Sequence, residues 1–145
     1  MKTIIIYASV HHENTKKVVD VIAKENDIDI IDATQVKEKN LYGYDAIGFA
    51  SGIYYGKFHQ SVLNFASINL PENKDVFLIC TYGGNAAFKS IEEVVSSKHG
   101  KVIGEYSCKG YDTFGPFKLV GGIAKGHPDK KDLADAVEFY KRLQV

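Results

Sequence analysis

The chain has 145 residues, a length that fits one compact domain over residues 1–145. Its 18 basic and 18 acidic residues cancel, so the net charge gives no attraction for nucleic acid or for an acidic partner. The apolar runs are too short to span a bilayer, and no signal-peptide pattern precedes the first of them. We therefore expect a cytoplasmic protein that contacts no membrane.

Five short apolar segments are predicted to be strands. The first, third and fourth are almost continuously apolar, which is typical of strands covered on both faces by helices. The second and fifth carry Asp29 and Glu105 at alternate positions, which predicts edge strands with one wetter side. The five segments are residues 3–8, 27–33, 46–50, 76–80 and 102–107.

Segments with apolar residues at helical spacing lie between and after these strands. Asn14 or Thr15 is predicted to cap the first helix, and Asp129, directly after Pro128, is predicted to cap the last. The predicted buried faces are Val18, Val19 and Ile22; Phe58, Val62, Phe65 and Ala66; Ala87, Ile91, Val94 and Val95; and Leu133, Ala136, Val137 and Tyr140.

Strands that are joined through helices pair in parallel, and right-handed crossovers place helices on both faces of the sheet. The alternation therefore predicts an α/β fold: a doubly wound, five-stranded parallel sheet within a three-layer sandwich. With the first strand in the middle, the expected strand order is 2-1-3-4-5. In such sheets ligands bind beyond the carboxyl ends of the strands, so the loops after strands one, three and four are the candidate site.

The loop after the first strand joins polar side chains to a helix start. Hydroxyl and amide groups beside the free N–H groups of a starting helix are suited to hold a phosphate, although simple helix capping is the alternative. The segment has neither the GxxxxGK[ST] nor the GxGxxG pattern. Its residues are Ser9, Val10, His11, His12, Glu13, Asn14 and Thr15.

The loops after the third and fourth strands combine tyrosines with glycines. Aromatic rings offer a flat surface for stacking, and glycine permits a close approach of the backbone. The alternatives are tyrosines packed on the next helix and an ordinary glycine turn. Together with the first loop, the two loops predict a phosphate grip and a slot for a planar ring. Their residues are Ser51, Gly52, Ile53, Tyr54 and Tyr55, and Thr81, Tyr82, Gly83, Gly84 and Asn85.

The histidines and cysteines do not form a metal-binding pattern, and no catalytic residue is assigned. Adjacent His11 and His12 point in different directions on an extended backbone, which makes joint chelation awkward. A hydrogen bond to a phosphate and delivery of a proton both remain open for them. Cys80 is predicted to be buried, whereas Cys108 is either buried or a reactive thiol.

With these loops in place, the sequence resembles the flavodoxins, in which the first loop reads Thr/Ser-x-Thr-Gly-Asn-Thr. Ser9, Asn14 and Thr15 match that pattern, while residues 11–13 replace its middle and lengthen it by one. The resemblance implies non-covalent FMN, with the phosphate held by the three matching residues. It places residues 51–55 on one face of the isoalloxazine ring and residues 82–85 along its other side or its pyrimidine edge. It also makes the Gly52 carbonyl a candidate to reorient on flavin reduction.

The resemblance implies an electron carrier that shuttles electrons between redox partner proteins, a reductase and an electron acceptor. The alternative is an FMN-dependent NAD(P)H or quinone oxidoreductase, and a third possibility is a binding module without a redox role. The neutral charge departs from the acidic character of typical flavodoxins. The long segment 108–128 is predicted to be a lid, a docking patch or a surface excursion.

Overall fold

The computed structural model describes residues 1–10, 12–111 and 121–143. Strands and helices alternate as predicted, with one additional short strand. Among the described helices, none combines the length and the apolar character needed to cross a bilayer. The strands are β1 (Thr3–Ala8), β2 (Asp29–Asp32), β3 (Ala46–Tyr54), β4 (Lys57–Phe58), β5 (Asp75–Tyr82) and β6 (Lys101–Lys109). The helices are α1 (Asn14–Asn26), α2 (Gln60–Asn69), α3 (Lys89–Ser97) and α4 (Lys130–Leu143).

The main sheet is parallel, and its strands lie in the order β2-β1-β3-β5-β6. For the five strands foreseen in the sequence, this is the order 2-1-3-4-5, so the predicted topology is confirmed. The strands with alternating polar residues, β2 and β6, lie at the two edges, also as predicted. The chain leaves β1 toward β2 on one side and returns to β3 on the other, which creates the switch point where ligands bind in such folds.

The isoleucines of β1 show how the sheet separates two apolar layers. Ile4 and Ile6 belong to one buried cluster, together with residues of α2 and α3. Ile5 belongs to a second cluster on the opposite face, together with residues of α1 and α4. Because successive side chains of a strand point to opposite faces, one continuous apolar run serves both layers. The predicted three-layer arrangement follows from this alternation.

The third predicted strand is longer in the structure than in the prediction, and it ends in a hairpin. β3 continues to Tyr54, and Tyr55 and Gly56 form a two-residue turn with φ values of 51° and 78°. The chain returns antiparallel as β4, with Ile53 opposite Phe58. Positive φ at both turn positions is what a type I′ hairpin turn requires. The assignment of Phe58 to a helix was therefore wrong: it reaches the same core as Val62 from a strand.

Helix starts were predicted with mixed success. The residue that caps α1 is Glu13, in a left-handed conformation, so the assignment of the cap to Asn14 or Thr15 was wrong. Ala87, predicted on the third helix, lies before its first residue. The start of α4 is confirmed, because Asp132 N donates to Asp129 Oδ1 (2.9 Å) and Asp129 N donates back to Asp132 Oδ2 (2.8 Å).

Candidate ligand-binding site

A cleft lies at the carboxyl edge of the parallel sheet, where the ends of β1, β3, β5 and β6 meet. The loop after β1 contributes hydroxyl and amide groups, and the ends of β3 and β5 contribute tyrosines and glycines. The lining residues are Ser9, Asn14, Thr15, Gly52, Ile53, Tyr54, Thr81, Tyr82, Gly83, Gly110 and Tyr111. The structure thus brings the three predicted loops to one site and adds a fourth segment.

The first loop wraps the start of α1. Ser9 Oγ accepts a hydrogen bond from Lys16 N (3.0 Å), which closes the loop over the helix terminus. His12 and Glu13 both have positive φ, 52° and 55°, so the backbone turns sharply before the helix begins. The amides of the first helical turn have no acceptor within the helix, and the helix dipole favours an anion beside them. This end of the cleft is suited to hold a phosphate.

The positive charge at this terminus is partly neutralised within the chain. Lys16 Nζ lies 2.7 Å from Asp20 Oδ2, and this hydrogen bond raises the pKa of Lys16. The salt bridge directs the ammonium group to a neighbour on the same helix. The backbone amides and hydroxyl groups of the first loop remain available as phosphate ligands beside this salt bridge.

Two threonines join the first loop to the third. Thr15 Oγ1 and Thr81 Oγ1 are hydrogen-bonded at 2.8 Å, and both residues are buried. Because Thr15 lies in the first turn of α1 and Thr81 lies near the end of β5, the bond connects two walls of the cleft. The two residues are far apart in the sequence, so it is the pairing of the strands in the sheet that brings their hydroxyl groups together.

Asn14 carries the clearest sign of a missing partner. Its Nδ2 donates to the carbonyl oxygen of Tyr111 (2.7 Å), while its Oδ1 is buried and, within the part of the chain that the structure describes, has no hydrogen-bond partner. A buried carbonyl oxygen without a donor is unfavourable. Because Asn14 lines the cleft, a ligand that presents a donor there would remove this cost.

The end of β3 presents Tyr54 and Gly52 together. A Cβ at Gly52 would lie 3.1 Å from Tyr54 Oη, so the tyrosine side chain passes close to the glycine. The Gly52 carbonyl accepts a hydrogen bond from Ser51 Oγ (2.6 Å), and reorientation of that carbonyl would break this bond. The role of Gly52 in flavin reduction stays a prediction. Ser51 itself is fully buried and also accepts a hydrogen bond from His59 N (2.8 Å).

Several predicted site residues lie outside the cleft lining. Tyr55 is 80% exposed at the tip of the hairpin, in contrast to its half-buried neighbour Tyr54. His12 is exposed, but its ring packs on Tyr111 with centroids 4.4 Å apart. His11 lies outside the described residues. The remaining residues that do not line the cleft are Val10, Glu13, Gly84 and Asn85, all exposed, and the buried Ser51.

Gly110 and Tyr111, which follow β6, were missing from the predicted site. The sequence predicts the segment 108–128, which contains both residues, to be a lid, a docking patch or a surface excursion. Both residues line the cleft, and residues 112–120 lie outside the described part of the chain. A glycine just after a strand that ends at the same edge was the available signal.

Neither cysteine is available as a nucleophile in the folded chain. Cys80 is fully buried and Cys108 is 4% exposed. Burial is the main reason that the pKa of each thiol is raised to about 12. The thiolate is the reactive form, so we expect both thiols to react slowly at neutral pH while the chain is folded. The prediction for Cys80 is confirmed, and the reactive alternative for Cys108 was wrong.

One group of potential metal ligands lies at the start of α4, outside the cleft lining. His127, Asp129 and Asp132 offer ligand atoms within 4.8 Å of one another. His127 Nδ1 lies 2.7 Å from Asp132 Oδ2, and the two aspartates bond to each other's backbone amides. These contacts are those of a helix cap, and they account for the arrangement without an ion.

These features define an open α/β protein whose parallel sheet has, at its switch point, a helix start suited to an anion and aromatic side chains. Residues 4–104 match the family described as "Flavodoxin domain". The chain belongs to this family. It is also 40% identical over 147 residues to an uncharacterized protein of Methanocaldococcus jannaschii, a match that covers 99% of this chain and 98% of that protein.

Solved structures show the same fold. Oxidised flavodoxin 2 from Bacillus cereus superposes with a TM-score of 0.67 at 18% identity, covering 99% of this chain and 97% of that one. A flavodoxin from the domain Archaea superposes with a TM-score of 0.63 at 18% identity and covers both chains completely. Membership of this family implies a flavin cofactor, and the cleft fits one. It offers an anion site, an acceptor at Asn14 Oδ1 and rings at Tyr54 and Tyr82.

Proposed function

We propose that the protein binds FMN non-covalently in this cleft and carries electrons between redox partner proteins. The observation that carries the proposal is the set of groups that the cleft brings together. Amides and hydroxyls at the start of α1 suit a phosphate, Asn14 Oδ1 suits a hydroxyl group, and Tyr54 and Tyr82 suit a planar ring. FMN has these three parts in one molecule.

Each part of the cleft has its own task in this proposal. Ser9 and Thr15 hold the phosphate beside the first turn of α1, Asn14 accepts a hydrogen bond from the ribityl chain, and the two tyrosines shield the ring from water. Bound FMN would supply the one- and two-electron chemistry, while the chain controls its access and its surroundings. Rings that exclude water on one side and leave an edge open would suit transfer to a partner.

The proposal is tested first by flavin binding. The purified protein should be yellow, or should quench FMN fluorescence on titration, and FMN should bind more tightly than riboflavin because of the phosphate. Thr15→Ala should lower the affinity for FMN by about tenfold, the value of one lost hydrogen bond to a charged group. The affinity for riboflavin, which has no phosphate, should be almost unchanged. A protein that binds neither flavin would refute the proposal.

A matched pair of variants tests the ring site. Tyr54→Leu removes a ring that lines the cleft, whereas Tyr55→Leu removes a ring that is 80% exposed at the next position. We expect the first to weaken binding of lumiflavin, which has the flavin ring and a methyl group in place of the ribityl chain, and the second to have a smaller effect. The reverse order would move the ring contact to Tyr55 and contradict the assignment.

The second candidate is an FMN-dependent oxidoreductase that takes electrons from NAD(P)H and passes them to a quinone or another small acceptor. The equal numbers of acidic and basic residues favour it, because the chain lacks the excess acidity of typical carriers. Anaerobic mixing with NADPH or NADH separates the candidates. Rapid bleaching without a reductase would support the enzyme, and bleaching only after a reductase is added would support the carrier.

Localisation remains part of the proposal. A carrier that exchanges electrons with soluble reductases would work in the cytoplasm. Fractionation of cells that express the tagged chain tests this expectation, and recovery of the protein with the membrane fraction would contradict it.

A further inference from the structure

Gly110 and Tyr111, directly after β6, contact three other parts of the site. Gly110 N donates to the carbonyl oxygen of Tyr82 (2.8 Å), and Tyr111 N donates to that of His127 (2.9 Å). The Tyr111 carbonyl in turn accepts the hydrogen bond from Asn14 Nδ2 (2.7 Å). The segment is therefore fixed from both sides before it meets the first loop.

Gly110 is required by its close approach to Asn14. A Cβ at position 110 would lie 2.7 Å from Asn14 Nδ2, 2.8 Å from its Cγ and 3.0 Å from its Cβ. Real Cβ atoms do not approach other heavy atoms so closely, so any other residue would displace the Asn14 side chain. The side-chain amide of Asn14 therefore packs directly against the backbone of Gly110.

The contact with Tyr111 determines which way the Asn14 amide faces. A backbone carbonyl only accepts hydrogen bonds, so the amide nitrogen must face Tyr111. The oxygen of the same planar group is then directed elsewhere, and among the described residues it has no donor. Asn14 is 7% exposed, so water reaches it poorly. The site therefore contains an oriented, buried acceptor.

The acceptor selects the part of a ligand that can lie beside it. A phosphate at neutral pH presents acceptor oxygens, which a carbonyl oxygen repels, so Asn14 Oδ1 does not suit the phosphate itself. Asn14 precedes Thr15 in the first turn of α1, where the anion is expected. The donor must therefore be close to the phosphate in the ligand, as the hydroxyl groups of a polyol phosphate are.

We propose that Gly110 and Tyr111 are positioning residues that hold Asn14 so that its Oδ1 accepts a hydrogen bond from the ribityl chain of the bound flavin. The inference rests on the proposed flavin binding and adds the segment after β6 to the determinants of that site. The ring contact between Tyr111 and His12, with centroids 4.4 Å apart, holds the same segment against the first loop.

The experiment compares three flavins on one variant. Gly110→Ala should lower the affinity of the protein for FMN and for riboflavin by about tenfold, equal to about 1.4 kcal/mol for one misplaced hydrogen bond. The affinity for lumiflavin, which lacks the ribityl chain, should be unchanged. The matched control is Gly43→Ala: its nearest neighbour would be Lys2 Nζ at 3.9 Å, so all three affinities should equal those of the wild type.

Two results would overturn the proposal: Gly110→Ala with wild-type affinity for riboflavin, or an equal loss for lumiflavin. If Gly110→Ala does not fold, Asn14→Asp replaces it, because aspartate is favourable in the first turn of a helix but cannot donate to Tyr111 O. Riboflavin, which has no phosphate to be repelled, should then bind about tenfold more weakly, and unchanged affinity would refute the idea. If the wild-type protein binds neither FMN nor riboflavin, the proposed function itself is refuted. Failure of the proposed function is therefore distinguishable from failure of the positioning role.

Discussion

Thr15 and Thr81 lie 66 positions apart in the sequence, yet their hydroxyl groups form a buried hydrogen bond of 2.8 Å between two walls of the cleft. Replacing either with valine keeps the shape but leaves the other hydroxyl without its partner. We expect each single variant to lose about 1–3 kcal/mol of unfolding free energy. The double variant should lose clearly less than the sum, because no buried hydroxyl then remains unpaired.

Urea denaturation of the flavin-free protein measures this coupling. The control pair is Thr15→Val with Thr34→Val, because Thr34 bonds Asp32 and shares no hydrogen bond with Thr15. The effects of that pair should add. Additive effects for Thr15 and Thr81 would show that the contact contributes no coupling energy.

Glu13 is held in a conformation that suits glycine. It precedes α1 with φ 55° and ψ 26° and makes no capping hydrogen bond through its side chain. A left-handed conformation costs an ordinary residue about 1–2 kcal/mol, and glycine at this position would avoid that cost. Part of the gain in stability would be offset by the greater flexibility of glycine in the unfolded chain. We expect Glu13→Gly to raise the unfolding free energy by about 0.5–1 kcal/mol. Thermal unfolding without flavin tests this.

The same substitution removes a carboxylate beside the anion-binding end of the cleft. FMN should bind about twofold to fivefold more tightly, the usual scale of a charge at a helix terminus. Glu13→Gln separates the two effects, because it removes the charge and keeps the strained backbone. It should improve FMN binding without the gain in stability. Equal stability gains for both variants would contradict the strain argument.

The fold was largely predictable because its periodicities are local. Apolar runs such as residues 3–8 and 76–80 report strands buried on both faces, and the edge positions followed from Asp29 and Glu105. Phe58 was misplaced for a physical reason. A hairpin that returns to the core brings its apolar residue to the layer that a helix would use, so spacing alone does not distinguish the two.

The candidate site was predictable only as a set of strand ends. The rule that ligands bind at the carboxyl edge selected Asn14, Tyr54 and Tyr82, which all line the cleft. It did not separate Tyr54 from Tyr55, because the direction of each ring depends on the turn at Tyr55 and Gly56. It also missed Tyr111, whose contact with Asn14 joins residues 97 positions apart.

Both cysteines should resist alkylation while the protein is folded. Burial raises their pKa to about 12, and the reactive thiolate is correspondingly scarce at pH 8. Iodoacetamide should modify neither thiol until urea unfolds the chain, and mass spectrometry would then show both modified together. Rapid modification of Cys108 alone would indicate that the end of β6 opens locally.

Glu105 should make the folded protein less stable as the pH rises toward neutrality. The Glu105 side chain is exposed on β6, and partial loss of hydration, a hydrogen bond to Glu92 and the charge of that residue together raise the pKa of Glu105 from 4.5 to about 7. Solvent screens the exposed pair, so the resulting change in stability is modest. Between these values the folded state binds more protons than the unfolded state. Unfolding free energy therefore falls as the pH increases through that window. Below it, the stabilisation from the protonated Glu105 carboxyl is fully present.

Glu105→Gln removes the titration and keeps a hydrogen-bonding group opposite Glu92. The stability of this variant relative to the wild type should therefore increase from pH 4.5 to pH 7 and then level off. Glu92→Gln should act in the same direction, since it removes the neighbouring charge that helps to raise the pKa of Glu105. Urea denaturation of the flavin-free protein at several pH values measures both differences. A constant difference across the range would show that Glu105 titrates alike in the folded and unfolded chains.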